Sequence, residues 1–528
     1  MSYNKEYERI ETGYHAVRWN EPPIYCLGRK GIYNEIAPYP AKTLIESVNK
    51  TVDQLIPENM KRDKKPYLPE LSEPEVLRHY TRLSQNNFSY DSGSTLGLGT
   101  CTMKYSPKIN DKLAGGPYIS KLHPLQDDST IQGILCLMYD LRNWLCELAG
   151  MDEFSFQPRG GAHGVFANAS MMKAYHHSRG EDYRDEVITS VISHPVNAGC
   201  PAAVGYKVIT LYPDPKTGDI GIEQMRAAIS PRTAGMMVTI PYDTGVFDSH
   251  IKDYIDMVHE AGGLVSLDQA NFNGVMGRLR AGDAGADMMH FNLHKSFSSP
   301  HGSIGPGSGA IGVKGFLTKF LPIPVVAFDG NNYYTDYERP DSIGKVTCFL
   351  GNIGSVIRTY AWIKALGANG LKEASSMAVI NNNYLIKKML QIPGVDIVCP
   401  HRAMLQEARF TVEKLFQDTG VTTTDVNRRV VDYGICSYFE GHEPMVDPNP
   451  ITPEPSDSVT VDDLERFAEI IGHVSDEAYS DPEIVKTAPH RCAIHRALEG
   501  PLTETSQLAT TWRAFLKRNP DFKPWKAL

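Results

Sequence analysis

Long apolar runs are missing from this chain, and so is any excess of positive charge. No stretch of the 528 residues stays apolar for the length that a bilayer crossing requires. The balance is acidic, with net charge -9 and pI near 6.0, so there is no basic footprint for nucleic acid or an anionic membrane. Cysteines number nine, an odd count without close pairing. CxxC is absent, and the nearest two, Cys136 and Cys146, are too far apart for zinc-ligand spacing. Such usage fits reduced thiols in a cytoplasm-like compartment, and a cytoplasmic location is expected. The opening MSYNKEYERIETGYHAVRWN has no apolar core for a secretory signal, and its several Glu argue against an Arg-rich transit peptide. Internal repeats and low-complexity tails are absent as well.

At 41% hydrophobic residues, the chain can bury a large core in two or three domains. Residues 1–85 are polar, Pro-punctuated and poorly periodic, which predicts an N-terminal arm laid on the main body or on a partner. From 86 to 365, apolar runs alternate with helical patterns. MDEFSFQP, DEVITSVIS, YKVITLY, AGMMVTIPY, GLVSLDQ and ADMMHF read as strands. TIQGILCLMYDLRNWLCELAG, HGVFANASMMKAYHHSRG and IKDYIDMVHEAGG read as helices. That alternation predicts an α/β domain with a mainly parallel sheet, whose ligands bind beyond the carboxyl ends of the strands. Residues 366–528 change character: a helix GLKEASSMAVINNNYLIKKMLQ, short strands, and VTVDDLERFAEIIGHV with a Thr460/Asp463 start signal predict a smaller α+β domain.

Two residues stand out chemically. GLVSLDQA closes on Asp268, and ADMMHFNLH delivers Lys295, 27 residues later, into a loop of Ser, Pro and Gly before GAIGVK returns as a strand. An acid ending one buried strand and a lysine leaving the next is what pyridoxal phosphate chemistry needs. The lysine forms a Schiff base with the aldehyde, and the acid keeps the pyridine nitrogen protonated. The competing reading is a salt-bridged pair at a sheet edge. The apolar approach to Lys295 lowers the cost of its neutral, nucleophilic amine. Upstream, strand MDEFSFQP, turn PRGGAHG and the following helix present backbone N–H groups as they would be presented to a phosphate. His163 lies at that helix start, as a cap or as a flat ring for stacking on a cofactor.

Other motifs are weaker. Gly307–Gly312 satisfies GxGxxG, yet Pro306 precedes it and Pro322 and Pro324 interrupt the helix that a dinucleotide fold requires. His176/His177 and His294/His301 lack the spacing and acidic partners of a metal site, so no metal is expected.

HFNLHKSFSSPHGSIGPGSGAIGVK resembles the lysine segment of glycine dehydrogenase (decarboxylating), the P-protein of the glycine cleavage system, and most of all the second subunit of its two-chain form. EPEVLRHYTRLSQ, LGTCTMKYSPKIN, LHPLQ, QPRGGAHG, the Asp268 strand, DSIGKVTCFLGNIG and IVKTAPH resemble that family in the same order. The resemblance implies a fold-type I pyridoxal 5'-phosphate enzyme, with an aspartate aminotransferase-like large domain and a smaller α+β domain. It implies Lys295 as the Schiff-base lysine, Asp268 as the pyridinium partner, Ala270 on one ring face and His163 on the other. Gly160, Gly161 and Ala162 would help hold phosphate, with His194 near the cofactor. Glycine is then the substrate, the lipoyl arm of a carrier (the H-protein) receives the aminomethyl group, and the site forms in a homodimer or with a sister subunit.

The chain also departs from the family. Arg159, Gly160 and Val165 replace an AAGAHGE-like turn, Val196 and Ala198 stand for a Thr and a Pro, and Ser303 and Ile304 narrow a glycine loop. TIPYDTGVFD brings Ile240, Tyr242 and Asp243 toward the expected substrate wall. Arg159 offers a fork for a substrate carboxylate, or a tie to a surface acid. These departures keep two alternatives open: a decarboxylase or carbon–carbon lyase acting on another amino acid without a lipoyl carrier, and a catalytically silent partner subunit.

Overall fold

Seven apolar runs become the strands of one sheet: β1 (Glu153–Ser155), β2 (Glu186–Ser190), β3 (Lys207–Leu211), β4 (Thr233–Thr239), β5 (Leu264–Asp268), β6 (Met288–Asn292) and β7 (Gly309–Val313). In this computed structural model the described residues are 21–32, 41–47, 52–62, 68–86, 96, 104–301, 305–442, 446–492, 496, 509 and 511–521. Strand order across the sheet is β1-β7-β6-β5-β4-β2-β3. β3, β2, β4, β5 and β6 run parallel, whereas β7 lies antiparallel to both β6 and β1. The central strands β4 to β7 are buried along their whole length, as a sheet covered on both faces demands.

Helices α1 (Gln132–Ala149), α2 (Gly161–Ser178), α3 (Val196–Val204) and α4 (Ile251–Glu260) supply the covering layers. On α1 the buried residues are Leu135, Met138, Leu141, Leu145 and Ala149, a helical repeat; Gly150, at φ 70°, then ends it in a left-handed cap. Because the register pairs Thr239 with Asp268 and Asp268 with His290, three polar side chains meet at the carboxyl ends of β4, β5 and β6.

The helix expected from residue 370 onward begins earlier. α5 (Ile353–Met389) is capped by Asn352, whose Oδ1 accepts from Ser355 N at 3.3 Å, and is broken by Gly367 at φ 63°, ψ -178°. A three-stranded antiparallel sheet (Asp396–Ile397, Phe410–Thr411, Pro450–Ile451) and α6 (Val461–Ser480) follow. The Thr460/Asp463 start signal forms a reciprocal capping box on α6.

The chain divides into two compact units, Met1–Thr12 with Tyr90–Ala488, and Gly13–Ser89 with Pro489–Leu528. Within the second, the polar N-terminal region holds a regular helix, Glu73–Gln85, started by a Ser72/Glu75 capping box. There Glu21 pairs with His79 and Arg82. Among the described residues, no helix is long and apolar enough to cross a membrane. Ser303 and Ile304 lie outside the described residues.

Candidate active site

Asp268 is 2% exposed, and its carboxylate is fully engaged. Oδ1 accepts from Ala270 N at 3.0 Å; Oδ2 accepts from Asn197 Nδ2 at 2.8 Å and from Thr239 Oγ1 at 3.2 Å. Burial by itself would raise its pKa. The imidazoles of His290 and His194, the Ala270 N–H and the Asn197 amide outweigh burial and hold it below the ordinary value. His290 Nε2 stands 3.1 Å from Asp268 Oδ1, but out of line for a hydrogen bond, and neither of its ring nitrogens has a hydrogen-bond partner. The buried acid therefore stays ionised at the carboxyl end of β5.

Lys295 is 6% exposed and leaves β6 through a tight turn in which its N–H donates to Asn292 O at 3.0 Å. The base of that loop is shut. Leu293 N donates to Ser308 O at 2.9 Å, Ser308 N donates to His294 Nδ1 at 3.0 Å, and Phe272 N donates to Ser296 Oγ at 2.6 Å. Lys295 and Asp268 both act on the same two imidazoles. Burial lowers the pKa of His194 and of His290, Asp268 opposes the shift, and the charge of Lys295 adds to it. The acid and the lysine thus share one site.

The turn before α2 borders it. Gly160, the N-cap of α2, adopts φ 149°, ψ -174°, a region that only glycine populates readily, and no side chain caps the helix. A Cβ on Gly161 would stand 3.1 Å from Asn292 Nδ2, and one on Gly164 would meet the His290 ring at 3.2 Å. Asn292 Oδ1 and Ser308 Oγ are buried without hydrogen-bond partners. An uncapped helix start, glycines at close approach and the unpartnered Ser308 hydroxyl, which can donate, fit an anionic group such as a phosphate. His163 Nδ1 accepts from Arg159 N at 3.3 Å; burial lowers its pKa, a bond to the Val346 backbone opposes this, and the Arg159 charge assists. Ala162 O accepts from Cys200 Sγ at 3.2 Å.

His194 sits opposite, its N–H on Thr239 Oγ1 at 2.9 Å and its Nδ1 accepting from Val196 N at 3.2 Å. His442 packs against it with ring centroids 4.8 Å apart.

Asp268, Ala270, His194 and Lys295 come together at the carboxyl end of the sheet, and Gly160, Gly161, Ala162 and His163 form the turn beside it. Asn197, Thr239, His290 and His442 join them unannounced by any motif. Only the register, which sets Thr239 and His290 on either side of Asp268, identifies two of them. Two expectations change. Ile240 and Tyr242 are core residues with no exposed surface, and the Tyr242 hydroxyl donates to Asp248 Oδ2 at 2.9 Å, so neither walls the site. Arg159 donates from Nε to Thr347 Oγ1 at 2.6 Å, a hydroxyl and not a surface acid. The GxGxxG match resolves as strand β7, which leaves no helix for a dinucleotide.

No known protein-family profile matches the chain. Over 508 residues it is 41% identical to the probable glycine dehydrogenase (decarboxylating) subunit 2 of Pyrococcus abyssi, covering 95% of this chain and 98% of that protein. The protein of the same name from Thermococcus gammatolerans is 41% identical over 510 residues, with 96% and 98% covered. Among solved structures, a glycine decarboxylase (P-protein) of the glycine cleavage system in inhibitor-bound form superposes with a TM-score of 0.69 at 20% identity, covering 84% of this chain and 100% of that one. At that identity the likeness is one of fold.

Proposed function

Because the chain belongs to the glycine dehydrogenase (decarboxylating) subunit 2 family, we propose that it decarboxylates glycine with pyridoxal 5'-phosphate held between Lys295 and Asp268, and passes the aminomethyl group to the lipoyl arm of a carrier protein. The architecture is that of fold-type I enzymes. When bound, pyridoxal phosphate supplies a conjugated ring that accepts the electron pair left as carbon dioxide departs.

The chain's own residues prepare for this. Asp268 would accept a hydrogen bond from the protonated ring nitrogen, and its ionised state is secured beforehand by His290, His194, Ala270 and Asn197. Lys295 would bond the aldehyde from a turn whose base is pinned to β7. Gly160 and Gly161, with the first N–H groups of α2, would take the phosphate, and Ser308 offers an unused hydroxyl nearby. His163 and Ala270 would sandwich the ring, with His194 beside it. A sister subunit as partner follows from the family's two-chain form.

The observation that carries the reading is a buried carboxylate kept charged at the end of β5, with a buried lysine whose charge reaches the same two imidazoles. Its test is a titration of the cofactor-loaded protein with a panel of amino acids, followed by the visible absorbance, and then carbon dioxide release with glycine and lipoylated carrier. Glycine should perturb the spectrum and release carbon dioxide. A response confined to another amino acid would move the substrate elsewhere, and a protein that stays colourless with added cofactor would overturn the reading.

A further inference from the structure

His442 reaches the site from the C-terminal half of the chain, between the short strands Phe410–Thr411 and Pro450–Ile451. Its ring lies edge-on to His194, centroids 4.8 Å apart at 67°. Phe439 packs against the same ring, centroids 4.7 Å apart at 62°. Phe439 is itself fixed, because its carbonyl accepts from Thr452 N at 2.8 Å and the Thr452 hydroxyl donates to Glu440 O at 2.8 Å. His442 Nε2 stands 4.0 Å from Asp243 Oδ2. The Asp243 carbonyl in turn accepts from Arg409 Nη2 at 3.4 Å, and Arg409, wholly buried, pairs with Asp447 at 3.1 Å.

His194 is therefore gripped along two edges. Its own backbone N–H and Nδ1 are tied to Thr239 and Val196. The His442 ring, whose side chain is 27% exposed, packs against it, while Asp243 behind that ring is 5% exposed. An imidazole turns about two single bonds, and hydrogen bonds at one nitrogen leave the far edge free to tip unless something packs on it.

We propose that His442 is a positioning residue of the active site, which, braced by Phe439 and Asp243, holds the His194 ring in its place beside Asp268 and Lys295. Asp243, buried behind the His442 ring, acts as the brace for this clamp. The inference rests on the reading of this cluster as the catalytic site, but its first measurement does not.

In the cofactor-free full chain, carbethoxylation of His194 by diethylpyrocarbonate is followed by peptide mass mapping. The 75% exposed His177 serves as internal standard. His442→Ala should raise the His194 rate severalfold with His177 unchanged, and His442→Phe, which keeps a ring edge in place, should return it toward wild type. In the loaded enzyme His442→Ala should lower kcat by about 10-fold or more, the effect of a misplaced group at a reacting centre, while the KM for glycine and cofactor affinity move little. His194 shielding that is unchanged in His442→Ala overturns the clamp; shielding lost with kcat intact overturns its positioning role. If wild type proves inactive on glycine while the shielding pattern holds, the proposed reaction fails and the clamp stands.

Discussion

Replacing Asp268 by Asn keeps the shape of the side chain and removes its charge, so it separates the acid's electrostatic work from its packing. Three donors converge on the carboxylate, at 2.8, 3.0 and 3.2 Å. An amide offers one acceptor oxygen, and its NH2 group must face at least one of those donors. One buried donor is left without an acceptor, at about 1–3 kcal/mol. The larger effect is on chemistry. A neutral amide cannot keep a ring nitrogen protonated, and removing one preorganised electrostatic partner from a dry site costs on the order of 10²–10³ in rate. Glycine-dependent carbon dioxide release should therefore fall by about that factor in kcat/KM, with cofactor still bound through Lys295. His290 and His194 also lose the charge that opposes their depressed pKa values, so both should titrate at still lower pH. The assay is steady-state release of labelled carbon dioxide, paired with a pH series of the cofactor's absorbance for both proteins. An Asp268→Asn enzyme with kcat/KM within about threefold of wild type and an unchanged absorbance series would refute the assignment of this acid to the ring nitrogen, since about threefold is under 1 kcal/mol.

Lys295→Ala should abolish the covalent absorbance of the bound cofactor; mass spectrometry after borohydride reduction should find no labelled peptide, and a label on another lysine would relocate the attachment. Gly160→Ala places a Cβ where space exists, with His294 Cε1 at 3.7 Å, but in a backbone conformation costing an L-residue about 1–3 kcal/mol. Fluorescence titration should show weaker pyridoxal phosphate binding, and equal affinity would remove the turn from the phosphate site. Glu477 is held at about 2, against an ordinary 4.5: burial pushes it up, but Arg429, His473 and Tyr433 outweigh burial. Its contribution is complete above about pH 4.5 and is lost as pH falls toward 2, so Glu477→Gln should cost about 3 kcal/mol at neutral pH. Urea unfolding at pH 7 and pH 3 should show that difference shrinking in acid. Glu407 moves the opposite way, since burial and the nearby Glu454 and Asp243 raise it well above its ordinary range while Arg409 only partly offsets them. Ionising it destabilises the fold as pH rises, so Glu407→Gln should raise the thermal midpoint at pH 8 more than at pH 5, and a fall at both would contradict a protonated acid.

The strands of the large sheet were legible because a buried parallel sheet leaves nearly continuous apolar runs, and Asp268 and Lys295 interrupt two such runs with the wrong polarity. The rest of the site was not. Thr239 and His290 matter only through cross-strand register, and Asn197 matters because α3 turns it back onto Asp268; none of these is a local pattern. His442 comes from a segment of short strands with no periodicity to place it. Tyr242 misled because TIPYDTGVFD stands where the resembled family has a substrate-facing segment, whereas its hydroxyl found a buried partner in Asp248. The first half of α5 was hidden by Gly367, whose break in the helix looks like a loop in sequence.

The antiparallel run of β7 against β6 has one more consequence. Its ladder continues past the named strands to the Leu293–Ser308 pair, two residues short of the lysine. The segment behaves as a noose drawn tight at its neck, with Lys295 just inside the knot. Slow amide exchange at Leu293 would be the signature of that arrangement.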